Sequence, residues 1–181
     1  MTSKTKDLTE IAIFPALMAA TAGIVIPLGS LPPITLQTLF VILAGLLLSP
    51  KKAFLSMSVY VLLGTIGLPI FSGFTGGLGV VLSKSLGFLI GFIIAAFFIA
   101  KMKNINFINK NYVSVFVILL IANAIIYMSG AAYLTFVSNV RYWLVIKAFY
   151  LYVPGDILKI CVSLYAYVRI RSDVTYERES I

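Results

Sequence analysis

The sequence predicts an all-α integral membrane protein with six transmembrane helices and with both termini in the cytoplasm. Of its 181 residues, 61% are hydrophobic and 11% are charged, whereas soluble domains carry about 25% charged residues. The apolar residues form six long runs, and the basic residues cluster near alternate ends of those runs. We therefore expect a single membrane domain over residues 1–181, with short cytoplasmic tails at about 1–10 and 171–181.

The six apolar runs define the expected helices, because about 20 residues span a bilayer. They cover roughly residues 11–29, 34–49, 53–69, 78–100, 112–137 and 153–170. The second run is short and follows Pro32 and Pro33. A glycine-rich, uncharged loop over 71–77 follows the third run, and the aromatic-rich stretch 142–152 is expected at a membrane interface.

Lysine and arginine positions predict the orientation, since short cytoplasmic loops carry an excess of both. With the N-terminus inside, the basic residues of the inner regions are Lys4, Lys6, Lys51, Lys52, Lys101, Lys103, Lys110, Arg169, Arg171 and Arg178. Only Arg141 and Lys147 then lie in outer regions. The Pro-Pro loop, the glycine loop and the start of the last helix all fall on the outer side, where they suggest a pocket.

Composition also argues against several functions. The net charge of +8 is not arranged as a basic stripe with interleaved aromatic residues, so we expect no nucleic-acid partner. Cys161 is the single cysteine and histidine is absent, which argues against a disulfide framework or a Cys/His metal site. No Gly-x-Ser-x-Gly elbow or acid pair is present within the apolar runs. We therefore expect neither an enzyme nor a bound cofactor or metal.

The stretch Val153-Pro154-Gly155-Asp156-Ile157-Leu158-Lys159 places an acid and a base within an apolar run. Proline suits the first turn of a helix, so Asp156 falls in that turn and Lys159 lies one turn further on the same face. An ionisable group in a membrane segment costs roughly 2.5–3.5 kcal/mol, which favours a role in ligand binding. An intrahelical ion pair stabilised by the helix dipole is the alternative.

Two further polar residues and one alanine pattern are candidates. Gln37, at the start of the second run, is expected to face inward and to bond either a ligand or another helix. Lys84 lacks the preceding glycine of a nucleotide-binding loop, so it either contacts an anionic ligand or extends to the membrane surface. Small residues at four-residue spacing, Ala12, Ala16 and Ala20, allow close approach of a helix, from a partner or from this chain.

Several motifs together resemble the BioY family, the biotin-binding substrate components of energy-coupling-factor transporters. The motifs are Pro33-Ile34-Thr35-Leu36-Gln37-Thr38-Leu39-Phe40, Leu43-Ala44-Gly45-Leu46-Leu47-Leu48, Pro50-Lys51, Leu63-Gly64-x-x-Gly67-Leu68-Pro69-x-Phe71, Gly76-Gly77-x-Gly79 and Pro154-Gly155-Asp156-x-x-Lys159. They run in the family's order from about residue 31 to residue 159. The chain departs from the family at 83–89: a Gly-Pro-Thr-Gly-Gly-Tyr block is replaced by Ser83 to Phe88, and Leu89 stands where some members carry arginine.

The resemblance implies a six-helix protein of a prokaryotic cell membrane that binds biotin near its outer face. Asp156 and Gln37 would bond the ureido ring, and Lys159 would donate either to the ureido carbonyl or to the acid. Lys84 would partly replace the missing arginine at the carboxylate. The residues implied to close over the ligand are Phe71, Gly73, Gly76 and Gly77. Transport would require a transmembrane coupling protein, which Ala12, Ala16 and Ala20 would contact, and two cytoplasmic ATPases. A component for another small vitamin, or a purely structural membrane subunit, is the alternative.

Overall fold

Seven helices and one β-hairpin make up the described part of the chain, which comprises residues 3–29, 31–103, 105 and 111–179 of a computed structural model. The helices are α1 (Ser3–Ala20), α2 (Gln37–Leu47), α3 (Pro50–Thr65), α4 (Leu78–Met102), α5 (Tyr112–Ser138), α6 (Tyr142–Ala148) and α7 (Val153–Glu179). A 3-10 turn, Phe149–Tyr152, joins α6 to α7. The mainly helical architecture expected from the sequence is therefore confirmed.

Helix lengths show how far composition alone identifies membrane spans. Within the described residues, α4 and α5 are long and apolar enough to cross a membrane, and α2 is apolar but shorter. Helices α1 and α7 extend into both segments expected as tails. Residues 1–2, 180–181 and the inner-loop residue Lys110 lie outside the described residues. The orientation of the termini stays a prediction.

An antiparallel hairpin replaces the second half of the first predicted helix, so the prediction of a helix over 11–29 was wrong beyond Ala20. Strands β1 (Val25–Leu28) and β2 (Leu31–Thr35) pair Val25 with Thr35 and Ile26 with Ile34. β-branched residues favour extended backbone, and Pro27 lacks the N–H that a helix interior requires. Gly29 follows β1 with a φ of 62°, a conformation that suits glycine.

Helix α4 lies at the centre of the bundle, where it packs along α5 and also contacts α2 and α3. Glycine permits the close approach to α5, since a Cβ at Gly87 would lie 2.3 Å from the carbonyl oxygen of Ser129. Helix α1 packs on α3, and α7 packs on α2. A smaller apolar cluster between α5, α6 and the 3-10 turn contains Phe149 and Tyr152. The aromatic stretch 142–152, expected at an interface, thus also contributes buried side chains.

One end of the bundle, which we call the basic end, contains the start of α1, the end of α2, the start of α3 and the end of α4. Lys52 pairs there with Asp7 at 2.6 Å and with Glu10 at 2.5 Å. The Lys103 ammonium donates to the carbonyls of Leu46 and Leu48 at the end of α2, at 2.5 and 2.7 Å. These contacts join four helices at the end opposite the site described next.

Candidate ligand-binding site

A cavity of about 320 Å³ opens at the other end of the bundle, which we call the cavity end. The hairpin, the loop after α3, the first half of α4, the middle of α5 and the starts of α2 and α7 form its walls. Its volume lies within the range of small-molecule sites, about 300–1,000 Å³. The aromatic lining residues are Phe71, Phe88, Phe92, Tyr127 and Tyr152, and the polar or charged ones include Gln37, Thr38, Ser72, Lys84, Asp156 and Lys159.

Asp156 and Lys159 form a buried ion pair in this cavity, as their spacing predicts. Asp156 is 4% exposed, and its Oδ1 accepts from the Lys159 ammonium at 3.1 Å. That ammonium also donates to the Thr38 hydroxyl at 2.9 Å. The hydroxyl of Tyr127 donates to Asp156 Oδ2. Because an ammonium has three donors and each carboxylate oxygen accepts more than one bond, both groups keep capacity for a ligand.

Gln37 is held at the start of α2 by a chain of hydrogen bonds that ends in the loop after α3. Its Nε2 donates to the Tyr60 hydroxyl at 2.6 Å, and that hydroxyl donates to the carbonyl of Ile70 at 3.1 Å. Its amide oxygen accepts from the Thr35 hydroxyl at 3.4 Å. The amide oxygen has a second lone pair, so Gln37 offers an acceptor at the cavity wall.

The predicted residues of the glycine loop divide into two groups. Phe71 lines the cavity, whereas Gly73, Gly76 and Gly77 are not among its lining residues. The amide of Gly73 donates to the carbonyl of Ala22, and the amide of Gly77 donates to a carbonyl of α3, both at 2.7 Å. The glycines therefore attach the loop to neighbouring elements, and their contact with a ligand stays a prediction.

Lys84 lines the cavity from a π-helical segment, Val81–Ser85, that interrupts α4. Its side chain is exposed, which places its charge at the rim rather than in the interior. Extra residues in a helical turn frequently occur at functional sites, because they redirect side chains. This position leaves both predicted uses of Lys84 open, a contact with an anionic group of a ligand and an extension to the membrane surface.

The three alanines of α1 lie away from the cavity on an exposed face. Ala12, Ala16 and Ala20 are exposed, while Phe14 and Met18 on the other side of α1 are buried. The described structure therefore does not use these alanines to pack α1 against α2 and α3. Their spacing suits close contact with a helix of this chain or with a helix of a partner protein. Their exposure leaves contact with a partner helix as the use that the described structure does not oppose.

Two tyrosines and the hairpin belong to the site but were missed by sequence reasoning. Tyr127 lies within the apolar run of α5, where hydropathy does not distinguish it from a core residue. Tyr152 donates its hydroxyl to the carbonyl of Pro32 and so connects the start of α7 to β2. The aromatic cluster immediately before Pro154 was a usable signal for Tyr152.

Comparisons with known proteins agree with this geometry. A family model described as BioY matches residues 1–176. The chain is 38% identical over 174 residues to a probable biotin transporter BioY of Bacillus subtilis, covering 91% of this chain and 89% of that protein. It is 46% identical to the Pyrococcus horikoshii probable biotin transporter BioY over 94 residues, which cover 52% of this chain and 57% of that protein. A crystal structure of the S-component for biotin from an ECF-type ABC transporter matches with a TM-score of 0.87 and 30% identity, over 95% of each chain.

Proposed function

The chain belongs to the BioY family, and on that premise we propose that it binds biotin as the substrate component of an energy-coupling-factor importer. The family consists of transporter components and not of enzymes, and the fold matches that of an S-component. The chain is accordingly a membrane protein. Its ligand, its partners and the direction of transport are parts of the proposal.

The buried Asp156–Lys159 pair carries the proposal, because its unused bonding capacity matches the ureido ring of biotin. That ring has two N–H donors beside one carbonyl acceptor. Asp156 accepts from one N–H, and the third ammonium donor of Lys159 bonds the carbonyl. Gln37, which uses one of its two Nε2 hydrogens on Tyr60, accepts from the second N–H of the ring through its amide oxygen. A pair of opposite charges is suited to this neutral ring, since it adds no net charge to the cavity.

The remaining parts of biotin correspond to the rest of the cavity. Phe71, Phe88 and Phe92 supply apolar surface for the fused rings and the aliphatic chain. Lys84 at the rim binds the carboxylate, in place of the arginine that some relatives carry near this position. The glycine loop at Gly73, Gly76 and Gly77 closes over the ligand. Under the predicted topology, the cavity faces outward and the basic end faces the cytoplasm.

Uphill transport requires partners, since no nucleotide-binding motif is present in this sequence. We assign Ala12, Ala16 and Ala20 to the contact with a transmembrane coupling protein, which two cytoplasmic ATPases drive. The exposed position of all three alanines on α1 supports this assignment. A substitution Ala16→Trp should leave biotin affinity within twofold of wild type and should prevent ATP-dependent uptake. Normal uptake by that variant would exclude this face as the contact.

A panel of vitamins tested by thermal shift on the purified protein examines the ligand assignment. A ligand that binds the native state raises its stability by RT ln(1 + [L]/Kd), so biotin at 100 times its Kd adds about 2.7 kcal/mol. Biotin should be the vitamin that raises the melting temperature. Stabilisation by a different vitamin alone would support the other-vitamin alternative, and no response to any vitamin would favour a structural subunit.

A further inference from the structure

The carboxylate of Asp156 receives hydrogen bonds from two different helices. Lys159, one turn further along α7, donates to Oδ1 at 3.1 Å, and the hydroxyl of Tyr127 in α5 donates to Oδ2. The torsion that rotates a carboxylate plane is broad, so one donor does not fix the orientation of the group. Donors at both oxygens do fix it. The direction of the lone pairs that Asp156 presents to the cavity is therefore set partly by Tyr127.

The ring of Tyr127 is held by aromatic neighbours and not only by its hydroxyl. Its centroid lies 4.8 Å from that of Phe149 and 5.9 Å from that of Tyr152. Both neighbours are buried, and both belong to the 3-10 turn that leads into α7. The hydroxyl thus approaches Asp156 from a ring that is already packed against the segment before this helix. Removing the hydroxyl alone should leave that packing in place.

Two uses are open to the Tyr127 hydroxyl, because the residue also lines the cavity. Its oxygen has lone pairs that a ligand N–H can reach, which would make it a direct contact. Its single proton, however, is given to Asp156. The bond that the structure contains is therefore a bond to the carboxylate, and it favours an action through Asp156 over an action on the ligand itself.

We propose that Tyr127 is a positioning residue, which holds the Asp156 carboxylate in the orientation that accepts a ureido N–H of biotin. This inference rests on the proposed function. A pre-oriented acceptor lowers the cost of binding, because its side chain is not ordered anew when the ligand enters. Since Tyr127 acts through Asp156, the contribution of its hydroxyl disappears when residue 156 can no longer accept from it.

A double-mutant cycle measured by calorimetry with biotin tests this dependence. Tyr127→Phe keeps the ring and removes the hydroxyl, and its Kd should be about threefold or more above wild type, because residues in one hydrogen-bond network are coupled. In Asp156→Asn, the amide oxygen is expected to face Lys159, which leaves a nitrogen toward Tyr127 that cannot accept. Adding Tyr127→Phe to Asp156→Asn should then change the Kd by less than about twofold.

Tyr165→Phe is the matched control, because the Tyr165 hydroxyl also bonds a charged group. It accepts from Nε of Arg169 at 3.2 Å. Tyr165 lies in α7, is exposed and does not line the cavity. Its substitution should leave biotin affinity within about twofold of wild type, as is usual for a surface change.

The ligand-free protein supplies a second measurement. The infrared difference between wild type and Asp156→Asn identifies the carboxylate band of Asp156. That band should shift in Tyr127→Phe, because the hydrogen bond to Oδ2 is lost, and should keep its position in Tyr165→Phe. A residue that only supports the packing of α5 would not move it.

Four results would overturn the inference. They are unchanged biotin affinity in Tyr127→Phe, an equal loss from Tyr127→Phe in the wild-type and Asp156→Asn backgrounds, an Asp156 band that does not shift, and a Tyr127→Phe protein that does not fold. The equal loss would instead indicate direct contact with the ligand. Wild-type protein that binds no biotin would overturn the proposed function and the inference with it. An unshifted band in protein that does bind biotin would overturn the inference alone, so the two failures are distinguishable.

Discussion

Lysine–carboxylate clusters occur at both ends of the molecule, and their surroundings differ. At the basic end, the side chains of Lys52, Asp7 and Glu10 are 25%, 50% and 34% exposed. At the cavity end, the side chains of Lys159 and Asp156 are 11% and 6% exposed. The first cluster joins α1 to α3, whereas the second lies within α7 and faces a cavity.

This difference in burial separates the roles of the two clusters. Exposed ion pairs contribute little stability, because water and salt screen them. A buried pair loses its hydration, and apolar residues of similar volume are often at least as stabilising. The ion pairs at the basic end therefore need no role beyond a weak link between α1 and α3. Lys103, whose pKa burial lowers to about 8, bonds the last carbonyls of α2 at the same end. The buried pair at the cavity end is better explained by ligand binding.

The largest expected effect concerns which side of the membrane each end faces. In a Cys161→Ser background, a cysteine at exposed Leu78 should react with an impermeant thiol reagent applied to intact cells, and a cysteine at exposed Lys51 should not. Both should react after the cells are permeabilised, which is the control for accessibility. Labelling of Lys51→Cys in intact cells would reverse the predicted orientation.

Substituting Asp156 should break the function of the buried pair. In Asp156→Asn, loss of a charge-assisted hydrogen bond, worth roughly 1.5–3 kcal/mol, should raise the Kd for biotin about tenfold or more. The fold should remain, since Lys159 keeps its bond to Thr38. Calorimetry and gel filtration measure both quantities. Asp7→Asn, a matched change at the basic end, should not alter the affinity, and unchanged affinity in Asp156→Asn would reject the assignment.

Substituting Lys84 tests whether an exposed cation at the cavity end also contributes to ligand binding. In Lys84→Met, the Kd for biotin should rise by up to about fivefold, because an exposed ion pair contributes about 0–1 kcal/mol. A neutral biotin amide should lose less affinity than biotin, since only biotin carries the carboxylate. Equal losses for both ligands, or no loss for either, would leave Lys84 as a residue that extends to the membrane surface.

The smallest effect is expected at Lys52. Its partners Asp7 and Glu10 are partly exposed, so Lys52→Met should lower the melting temperature by only a few degrees and should leave biotin affinity unchanged. The melting temperatures of Lys52→Met and of wild type should also be measured in high salt. Salt screens the ion pair, so the difference between the two melting temperatures should become smaller. A large loss of biotin affinity would show that the two ends are coupled.

Hydropathy and charge were sufficient to locate most helices, but not the hairpin. An apolar run indicates that its residues are buried or in contact with lipid. Because this holds for strands as well as for helices, it does not distinguish the two. Val25, Ile26 and Pro27 favour extended backbone, but the length of the apolar run predicted a helix that included them. The glycine loop was located correctly, but whether its glycines face a cavity or a neighbouring element depends on contacts with the turn after α1 and with α3.

By itself, the sequence determined the helical membrane class, the family motifs and the Asp156–Lys159 pair, because each depends on composition or on neighbours within one helical turn. The tertiary structure alone decided that Tyr127 bonds Asp156, that Tyr60 holds Gln37 and that Ser72 lines the cavity. Those relations join residues from different elements, 29 positions apart for Tyr127 and 23 for Tyr60. Only the packing of α2, α3, α5 and α7 brings them together, and no spacing along the chain encodes that packing.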